Sequence, residues 1–382
     1  MIKVGLEVFL DQYVEQFKDE RVGLLTNPTG VNRRLVSTID LFQEKLHLCA
    51  LFAPEHGIRA NLQEGESFED TIDPVTGLPI YSLYGKQKRP TEEMLASLDV
   101  IFVDIQDIGS RYYTFVYTLA NVMDACREYG VKVVVLDRPN PIGGHMVEGN
   151  LIEENFFSFI GMYPIPNRHG MTIGELATMF NNHFAINCDL TVIEMEGWQR
   201  NQFFDELNIP WVPPSPNVTN ISMQLLYPGT CLIEGTNLSE GRGTVRPFEV
   251  IGAPFIDGFK LAQFFNEIGL EGILARPTSF KPTYSKYYEE VCHGIQLHVI
   301  DRHVIKPVEI GIRLIELIYS MYPEQLEFIT YEQLEHPFFD LLAGTDQLRK
   351  NIMHQEVESF ISKMNEDRRD FYNIRKKYLL YR

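Results

Sequence analysis

The sequence lacks any apolar stretch as long as a membrane-spanning helix requires, so we expect no contact with a membrane. Its first residues, MIKVGLEVFLDQYVEQF, also lack the apolar run and cleavage site of a signal peptide. The five cysteines are odd in number and widely scattered, which is not the pattern of a disulfide framework or a zinc site. We therefore expect a cytoplasmic protein, or an extracellular one if a signal peptide has been removed.

Positive charge is also in short supply. The chain has 34 Lys and Arg against 52 Asp and Glu, a formal net charge of −18. The excess of negative charge repels the phosphate backbone of a nucleic acid, and the sequence has no basic patch concentrated enough to offset this repulsion. A nucleic-acid partner is therefore not expected, and the sequence sets no oligomeric state.

Between residues 21 and 195, the pattern of apolar residues alternates between one typical of strands and one typical of helices. Short β-rich segments occupy residues 21–27, 48–54, 99–107, 131–139 and 189–195, and helical patterns fill most of the intervals. The last helix opens on a capping box, Thr172 to Glu175. Strands that alternate with helices are typical of a parallel sheet, so we predict a Rossmann-like, doubly wound α/β domain. The glycine motif G-x-G-x-x-G is absent, and we predict no dinucleotide or other cofactor.

The composition of the sequence and its pattern of predicted elements change after about residue 245. The segment VRPFEVIGAPFIDG is rich in Pro and Gly and predicts a boundary. We place a Rossmann-like catalytic domain at residues 1–248 and a smaller α+β domain, which completes the cleft, at residues 249–382. The second domain is predicted to hold helices near 257–268 and 307–323, a strand region within 279–301 and a charged helical C-terminus.

Unusual polar side chains follow four of the predicted strands. In parallel sheets, ligands bind beyond the carboxyl ends of the strands, so these residues predict a polar site at that edge. They are Asn27 after the first strand, Glu55 and His56 after the second, Asp104, Gln106, Asp107, Arg111, Tyr112 and Tyr113 after the third, and Arg138 and Asn140 after the fourth.

Two further polar clusters are expected at the same site. Arg168 and His169 precede the capping-box helix, whose N-terminus favours an anion. The loop CLIEGTNLSEGRGTVRP contributes Glu234, Asn237, Glu240 and Arg242. Structural roles compete with these: His169 as a loop hydrogen-bond partner, Arg138 in an ion pair with Asp137, and the two tyrosines as packing residues.

Carbohydrate cleavage is the chemistry that suits this set best. It needs one carboxylic acid to protonate the leaving oxygen and a second group to stabilise or attack the anomeric centre. A metal-dependent hydrolase that uses Glu55, His56, Asp104 and Asp107 has suitable ligand types but lacks a specific ligand spacing, and we predict no metal site. A non-catalytic sugar- or anion-binding protein is a further alternative.

A series of motifs along nearly the whole chain resembles the exo-β-N-acetylmuramidase family. They are GLLTNPTGV, LFAPEHGIRA, DTIDPVTGLPIYSLYGK, DIQDIGSRYYTFVYT, LDRPNPIGG, RHGMTIGELA, WVPPSPN, YPGTCLIEGTNLSEGRGT, FKPTYSKY and CHGIQLHV. The resemblance implies a Rossmann-like domain and a smaller domain with the site between them. It also implies release of non-reducing terminal β-1,4-linked N-acetylmuramic acid from a peptidoglycan-derived saccharide or muropeptide.

The family glutamate of the P-E-H-G motif maps onto Glu55, so the resemblance implies that Glu55 is the general acid or the main catalytic carboxylate. His56, in the same turn, is expected to tune or orient it. For the second catalytic group we favour Asp107 or Asp104, with Glu234 and Glu240 as rivals. N-acetylmuramic acid carries a lactyl carboxylate that an arginine should bind. The candidates for that contact are Arg111, Arg168 and Arg242.

Overall fold

The computed structural model describes residues 2–58 and 69–382, and its larger sheet carries the predicted α/β pattern. The strands are β1 (Arg21–Thr26), β2 (His47–Ala53), β3 (Thr71–Ile72), β4 (Pro79–Ser82), β5 (Val100–Asp104), β6 (Lys132–Leu136) and β7 (Leu190–Ile193). Their order in the sheet is β3-β4-β2-β1-β5-β6-β7, and every neighbouring pair is parallel except β3 and β4. The chain therefore reverses its direction of winding at β1, which lies between β2 and β5.

Helices cover both faces of this sheet. They are α1 (Gly5–Gln12), α2 (Thr38–Lys45), α3 (Glu92–Leu95), α4 (Phe115–Tyr129) and α5 (Ile173–Asn182). On one face, Phe102 of β5 packs its ring against Phe9 of α1 and Phe42 of α2, at centroid distances of 4.9 and 5.0 Å. On the other face, Ile101 and Val103 pack with residues of α4 and α5. The alternation buries both faces of the strand and confirms the doubly wound prediction.

The rest of the chain builds a smaller unit around an antiparallel sheet. Its elements are α6 (Ile221–Thr230), β8 (Val250–Ala253), α7 (Gly258–Glu267), β9 (Ile273–Phe280), β10 (Cys292–Val299), α8 (Pro307–Met321), α9 (Phe338–Ala343), α10 (Gln347–His354) and α11 (Val357–Arg375). The strand order is β8-β10-β9. Elsewhere in the described ranges, short 3₁₀ segments lie at Val14–Phe17, Glu154–Phe156 and Phe204–Glu206, and a further one at Cys231–Gly235 follows α6. The antiparallel sheet and its helices confirm the predicted second α+β part. The boundary at residue 248 stays a prediction, and α6, which packs on α8, lies on its N-terminal side.

Two glycines allow α6 and α8 to pack closely. A Cβ atom at Gly229 would lie 1.7 Å from the carbonyl oxygen of Pro307, and one at Gly311 would lie 2.3 Å from that of Gly229. Only hydrogen at both positions permits this approach. The contact fixes α6, and with it the residues of α6 that face the sheet edge.

Six of the described helices and strands were not predicted from sequence: α1, α6, β3, β4, β8 and β9. The α6 segment is apolar on more than one face and contains Pro228, so its helical period is weak, and β3 and β4 are very short. No helix in the described ranges has the length and apolar character needed to cross a membrane.

Candidate active site

A pocket of about 290 Å³ lies at the carboxyl edge of the large sheet, where the two parts of the chain meet. Its described polar lining comes from the strand ends and from the smaller unit. The lining includes Glu55, His56, Tyr84, Tyr112, Tyr113, Thr114, Ser215, Asn217, Tyr227, Cys231, Glu234 and Arg242, with apolar walls from Phe159, Ile160, Val218, Met223, Phe248, Phe338 and Leu342.

Glu55 is placed in the pocket by a tight turn at the end of β2. The strand ends at Ala53, and the amide of Gly57 donates to the carbonyl oxygen of Pro54 at 3.1 Å to close the turn. His56, at the centre of this turn, has a φ of 72°, a left-handed conformation that is uncommon outside glycine. Such strained residues cluster at functional sites, where the surrounding structure holds them in place. The turn therefore fixes the direction in which both side chains leave the sheet.

The carboxylate of Glu55 is held at the N-terminus of α4. Its Oε2 accepts a hydrogen bond of 2.7 Å from Oγ1 of Thr114, the residue that precedes the helix. The aligned peptide dipoles of this 15-residue helix favour negative charge at that end. Glu55 is 9% exposed, so it is mostly withdrawn from solvent but open to the pocket. The arrangement fixes the Glu55 carboxyl group where a ligand in the pocket can reach it.

A second carboxyl group in the pocket lining comes from the segment after α6. Glu234 lies in the 3₁₀ segment after α6, and its Oε1 is 3.2 Å from a guanidinium nitrogen of Arg242. Cys231 donates its thiol proton to the same oxygen at 3.4 Å. Burial raises the pKa of Glu234, and the positive charge of Arg242 opposes that rise. Glu234 therefore holds a proton to a higher pH than an ordinary glutamate does.

Arg242 is itself fixed by several contacts. Its Nε lies 3.1 Å from Glu240, and its guanidinium lies over the Phe248 ring at 5.0 Å from the ring centre. Lys286 also reaches Glu240, at 3.0 Å. The outer face of the Arg242 side chain, which is 10% exposed, lines the pocket. The cation is thus rigidly presented to whatever occupies the pocket.

Aromatic rings form much of the pocket wall. Tyr227 of α6 lies between Tyr112 and Phe248, at centroid distances of 6.2 and 4.8 Å. Tyr113 packs edge-on against Phe115 at 4.7 Å, and burial raises its pKa well above the usual value. The hydroxyl of Tyr112 donates to the carbonyl oxygen of Pro228. These rings present apolar faces with neutral hydroxyl groups, a surface suited to the faces and edges of a sugar.

Six of the residues predicted from sequence therefore line one pocket: Glu55, His56, Tyr112, Tyr113, Glu234 and Arg242. The other predicted residues lie outside its described lining, and the contacts they make are internal to the protein.

Asp104 and Arg138 form a buried ion pair at the switch point of the sheet. Nε of Arg138 donates to Oδ1 of Asp104 at 2.5 Å, and the hydroxyl of Thr38 donates to Oδ2 at the same distance. Both ionic side chains are almost completely buried. The pair links α2, β5 and the end of β6, so its contacts are those of a structural element.

Asp107 and His169 form a second buried pair. Nε2 of His169 lies 3.2 Å from Oδ2 of Asp107, while its Nδ1 accepts from the amide of Met171. The amide of Gly109 also donates to Oδ2. Both side chains are buried and lie outside the described pocket lining, so the catalytic role assigned to Asp107 stays a prediction.

The remaining predicted residues bind mainly backbone groups. Asn27 accepts from Thr29, Gln106 donates to the carbonyl oxygens of Asp107 and Pro139, and Asn140 donates to Met171. Arg111 donates to four carbonyl oxygens, those of Asn150, Ile165, Leu342 and Ala343, and Arg168 donates to Ile142. Asn237 binds the backbone of Gln325 and Glu327, and Glu240 binds Arg242 and Lys286. Substrate contacts for these residues stay predictions.

Several lining residues were not identified from sequence. Ser215 and Asn217 lie within WVPPSPN, a motif of the family resemblance, and Thr114 directly follows the two tyrosines. Their positions within or beside recognisable motifs could have identified them. No such signal marks the apolar lining, because an isolated apolar residue in a helix or loop gives no sign that it faces a pocket. The residues concerned are Tyr227, Phe248, Phe338 and Leu342.

A metal centre was the main chemical alternative. Within residues 2–58 and 69–382, the His, Cys, Asp and Glu side chains form no group of three placed to hold a metal ion. The described site instead offers two carboxyl groups, a fixed arginine and aromatic walls. With an α/β sheet behind it, this combination suits the chemistry of a glycoside hydrolase.

Comparisons with known proteins identify the family. The models "Exo-beta-N-acetylmuramidase NamZ, N-terminal" and "Exo-beta-N-acetylmuramidase NamZ, C-terminal" match residues 22–222 and 225–381. The chain is 46% identical over 383 residues to "Peptidoglycan beta-N-acetylmuramidase NamZ" of Bacillus subtilis (strain 168), covering all of this chain and 91% of that protein. It belongs to the exo-β-N-acetylmuramidase family, and it is a glycosidase.

Two crystal structures share the fold. Both are DUF1343 family proteins from Bacteroides fragilis NCTC 9343. One is 36% identical with a TM-score of 0.93, and the other is 33% identical with a TM-score of 0.78. In each case the match covers all of this chain and 99% of the other.

Proposed function

We propose that the protein is an exo-acting glycoside hydrolase that releases non-reducing terminal β-1,4-linked N-acetylmuramic acid from peptidoglycan fragments, with Glu55 as the main catalytic carboxylate. The observation that carries the proposal is the position of Glu55, fixed in the pocket by a strained turn and by Thr114. The B. subtilis relative, whose name states this sugar, supports the choice of substrate.

Glu55 and Glu234 divide the chemistry according to their surroundings. Glu55, which Thr114 orients in the pocket, stabilises or attacks the anomeric centre as positive charge develops there. Burial raises the pKa of Glu234, so this residue holds the proton that the leaving oxygen requires. His56, in the same turn as Glu55, fixes the geometry of the carboxylate.

Arg242 is the residue we propose for the lactyl carboxylate of the sugar. Among Arg111, Arg168 and Arg242, it is the one whose side chain lines the pocket. Glu234 and Glu240 hold its guanidinium in one orientation, so little conformational freedom is lost when a ligand carboxylate binds. Tyr112, Tyr113 and Tyr227 supply the faces for the sugar ring.

A substrate panel tests both proposals. Wild-type protein should release nitrophenol from β-linked N-acetylmuramic acid far faster than from β-linked N-acetylglucosamine, and Arg242→Met should reduce that preference in kcat/KM. Equal rates on both glycosides would overturn the assignment of the sugar. Thermal unfolding of the variant shows whether its fold is retained.

The leaving group tests the division of roles. If Glu234 is the acid, Glu234→Gln should lose roughly 10²–10⁴-fold in kcat with a sugar leaving group and much less with nitrophenol, which needs little protonation. Glu55→Gln should lose activity with both leaving groups. The reverse pattern would mean that Glu55 is the acid.

A further inference from the structure

A second groove, of about 660 Å³, adjoins the pocket. It runs between residues 86–89, Asn121 of α4 and residues 157–162. Phe159 lines both the groove and the pocket, so the two form neighbouring parts of one surface. A ligand that extends out of the pocket past Phe159 enters the groove.

The groove carries positive charge on a protein whose formal net charge is −18. Lys86, Lys88 and Arg89 line it, and both lysines are exposed. Arg89 is neutralised by Asp124, at 2.9 Å, and by Glu128. In the described part of the chain, neither lysine pairs with a carboxylate. The two ammonium groups are therefore available to an anion.

Aromatic rings continue from the pocket into the groove. The Tyr84 ring, which lines the pocket, lies 5.9 Å from the Phe159 ring, and Nζ of Lys88 lies 4.4 Å from the centre of that ring. Phe157, farther along, is 43% exposed. One exposed ring and two half-buried rings beside cations are suited to a ligand with both sugar faces and carboxylates.

We propose that this groove is a subsite for an acidic sugar of the leaving chain, an inference that rests on the proposed function. A peptidoglycan glycan alternates N-acetylglucosamine with N-acetylmuramic acid. When the terminal N-acetylmuramic acid occupies the pocket, the first leaving sugar is neutral and the second carries a lactyl carboxylate. That carboxylate binds Lys86 and Lys88, while the sugar rings pack on Phe159 and Phe157. The enzyme is thereby selective for longer anionic fragments.

Kinetics on three substrates test the subsite: the nitrophenyl glycoside, the disaccharide of N-acetylmuramic acid and N-acetylglucosamine, and the tetrasaccharide that repeats this unit. The double variant Lys86→Ala/Lys88→Ala should raise KM about tenfold for the tetrasaccharide, with little change for the other two substrates. The difference in KM for the tetrasaccharide between the double variant and wild type should shrink as salt screens the exposed charges. Lys45→Ala, on α2 across the sheet, is the matched control and should behave as wild type.

Calorimetric binding of the tetrasaccharide separates this proposal from the proposed function. If wild-type protein binds it in a lysine-dependent manner but releases no sugar, the proposed hydrolysis is wrong and the subsite stands. If sugar is released, but KM and Kd are the same in the double variant and wild type, the subsite is wrong and the proposed function stands. If the tetrasaccharide is neither bound nor cleaved, both proposals are overturned.

Discussion

Glu55 and Asp104 are carboxylates from strands that flank β1 on either side, yet their surroundings give them opposite uses. Asp104 is fully buried and accepts hydrogen bonds from Arg138 and Thr38, so both of its oxygens are occupied within the protein. Glu55 faces the pocket and is oriented by Thr114. A buried, paired carboxylate stabilises the fold, whereas one directed into a cavity is available for chemistry.

Replacing Arg138 tests the structural role of the buried pair. Arg138→Met should cost about 3–5 kcal/mol in the free energy of unfolding, because it leaves the charge of Asp104 buried without a partner. Arg21→Met, which breaks the exposed pair with Asp99, is the control and should cost about 0–1 kcal/mol. Urea denaturation measures both. Equal losses in the two variants would contradict a structural role for the Asp104 pair.

At the scale of elements, α4 connects the fold to the site. Its N-terminus lies beside Glu55, and its C-terminus ends at Gly130, whose φ of 71° is left-handed. The buried face of the helix packs on the large sheet, through residues that include Leu119, Val122 and Met123. The position of Thr114, and therefore of the Glu55 carboxylate, depends on this packing.

Gly130 offers a clean test of how α4 ends. A Cβ atom there meets no atom within 4 Å, so the cost of Gly130→Ala is conformational and should be about 1–2 kcal/mol of unfolding free energy. Gly130→Asn should lose less, since asparagine tolerates the left-handed region. Folded Gly130→Ala protein should keep wild-type kcat. If Gly130→Ala were as stable as wild type in thermal and urea unfolding, this account of the helix end would be contradicted.

At the scale of the whole molecule, buried polar contacts join the two parts of the chain. Oε1 of Glu148 accepts from the amide of Glu309 in the first turn of α8, at 2.8 Å. Near the C-terminus, the hydroxyl of Tyr381 donates to Asp137 at 2.6 Å. Arg111 donates to the carbonyl oxygens of Leu342 and Ala343, next to the pocket wall. These contacts hold the two walls of the pocket in register.

Glu148 makes this junction sensitive to pH. Burial raises its pKa from 4.5 to about 7, so the folded state binds a proton that the unfolded state releases. The contribution of Glu148 to stability is therefore greatest below its unfolded pKa and falls as pH rises through about 7. Glu148→Gln removes this titration and keeps an oxygen that accepts from the amide of Glu309. Between acidic and alkaline pH, the free energy of unfolding of the variant should therefore rise by up to about 3 kcal/mol relative to that of wild type.

Urea unfolding at a series of pH values measures this difference. As pH increases from 4 to 8, the free energy of unfolding of Glu148→Gln should increase relative to that of wild type. Glu93→Gln, at an exposed position of α3, should follow the wild-type curve throughout. A constant gap for Glu148→Gln would show that this carboxyl group does not titrate between the two states.

The strand–helix alternation, the capping box at Thr172 and the Gly130 helix end were predictable, since each depends on neighbours in sequence. The composition of the pocket was only partly predictable. Glu55 and Asp107 both follow strands, and only packing decides that one lines the pocket while the other faces His169. The opposite wall comes from separate segments of the smaller unit, whose meeting with the sheet edge has no local signal.

The central claim is that the Glu55 carboxylate catalyses release of terminal N-acetylmuramic acid, and the direct measurement is kcat of Glu55→Gln on the disaccharide. The variant should fold as wild type and lose at least about 10²–10⁴-fold in kcat. The exposed Glu93→Gln variant should keep full activity. A folded Glu55→Gln protein that retains wild-type kcat would contradict the account.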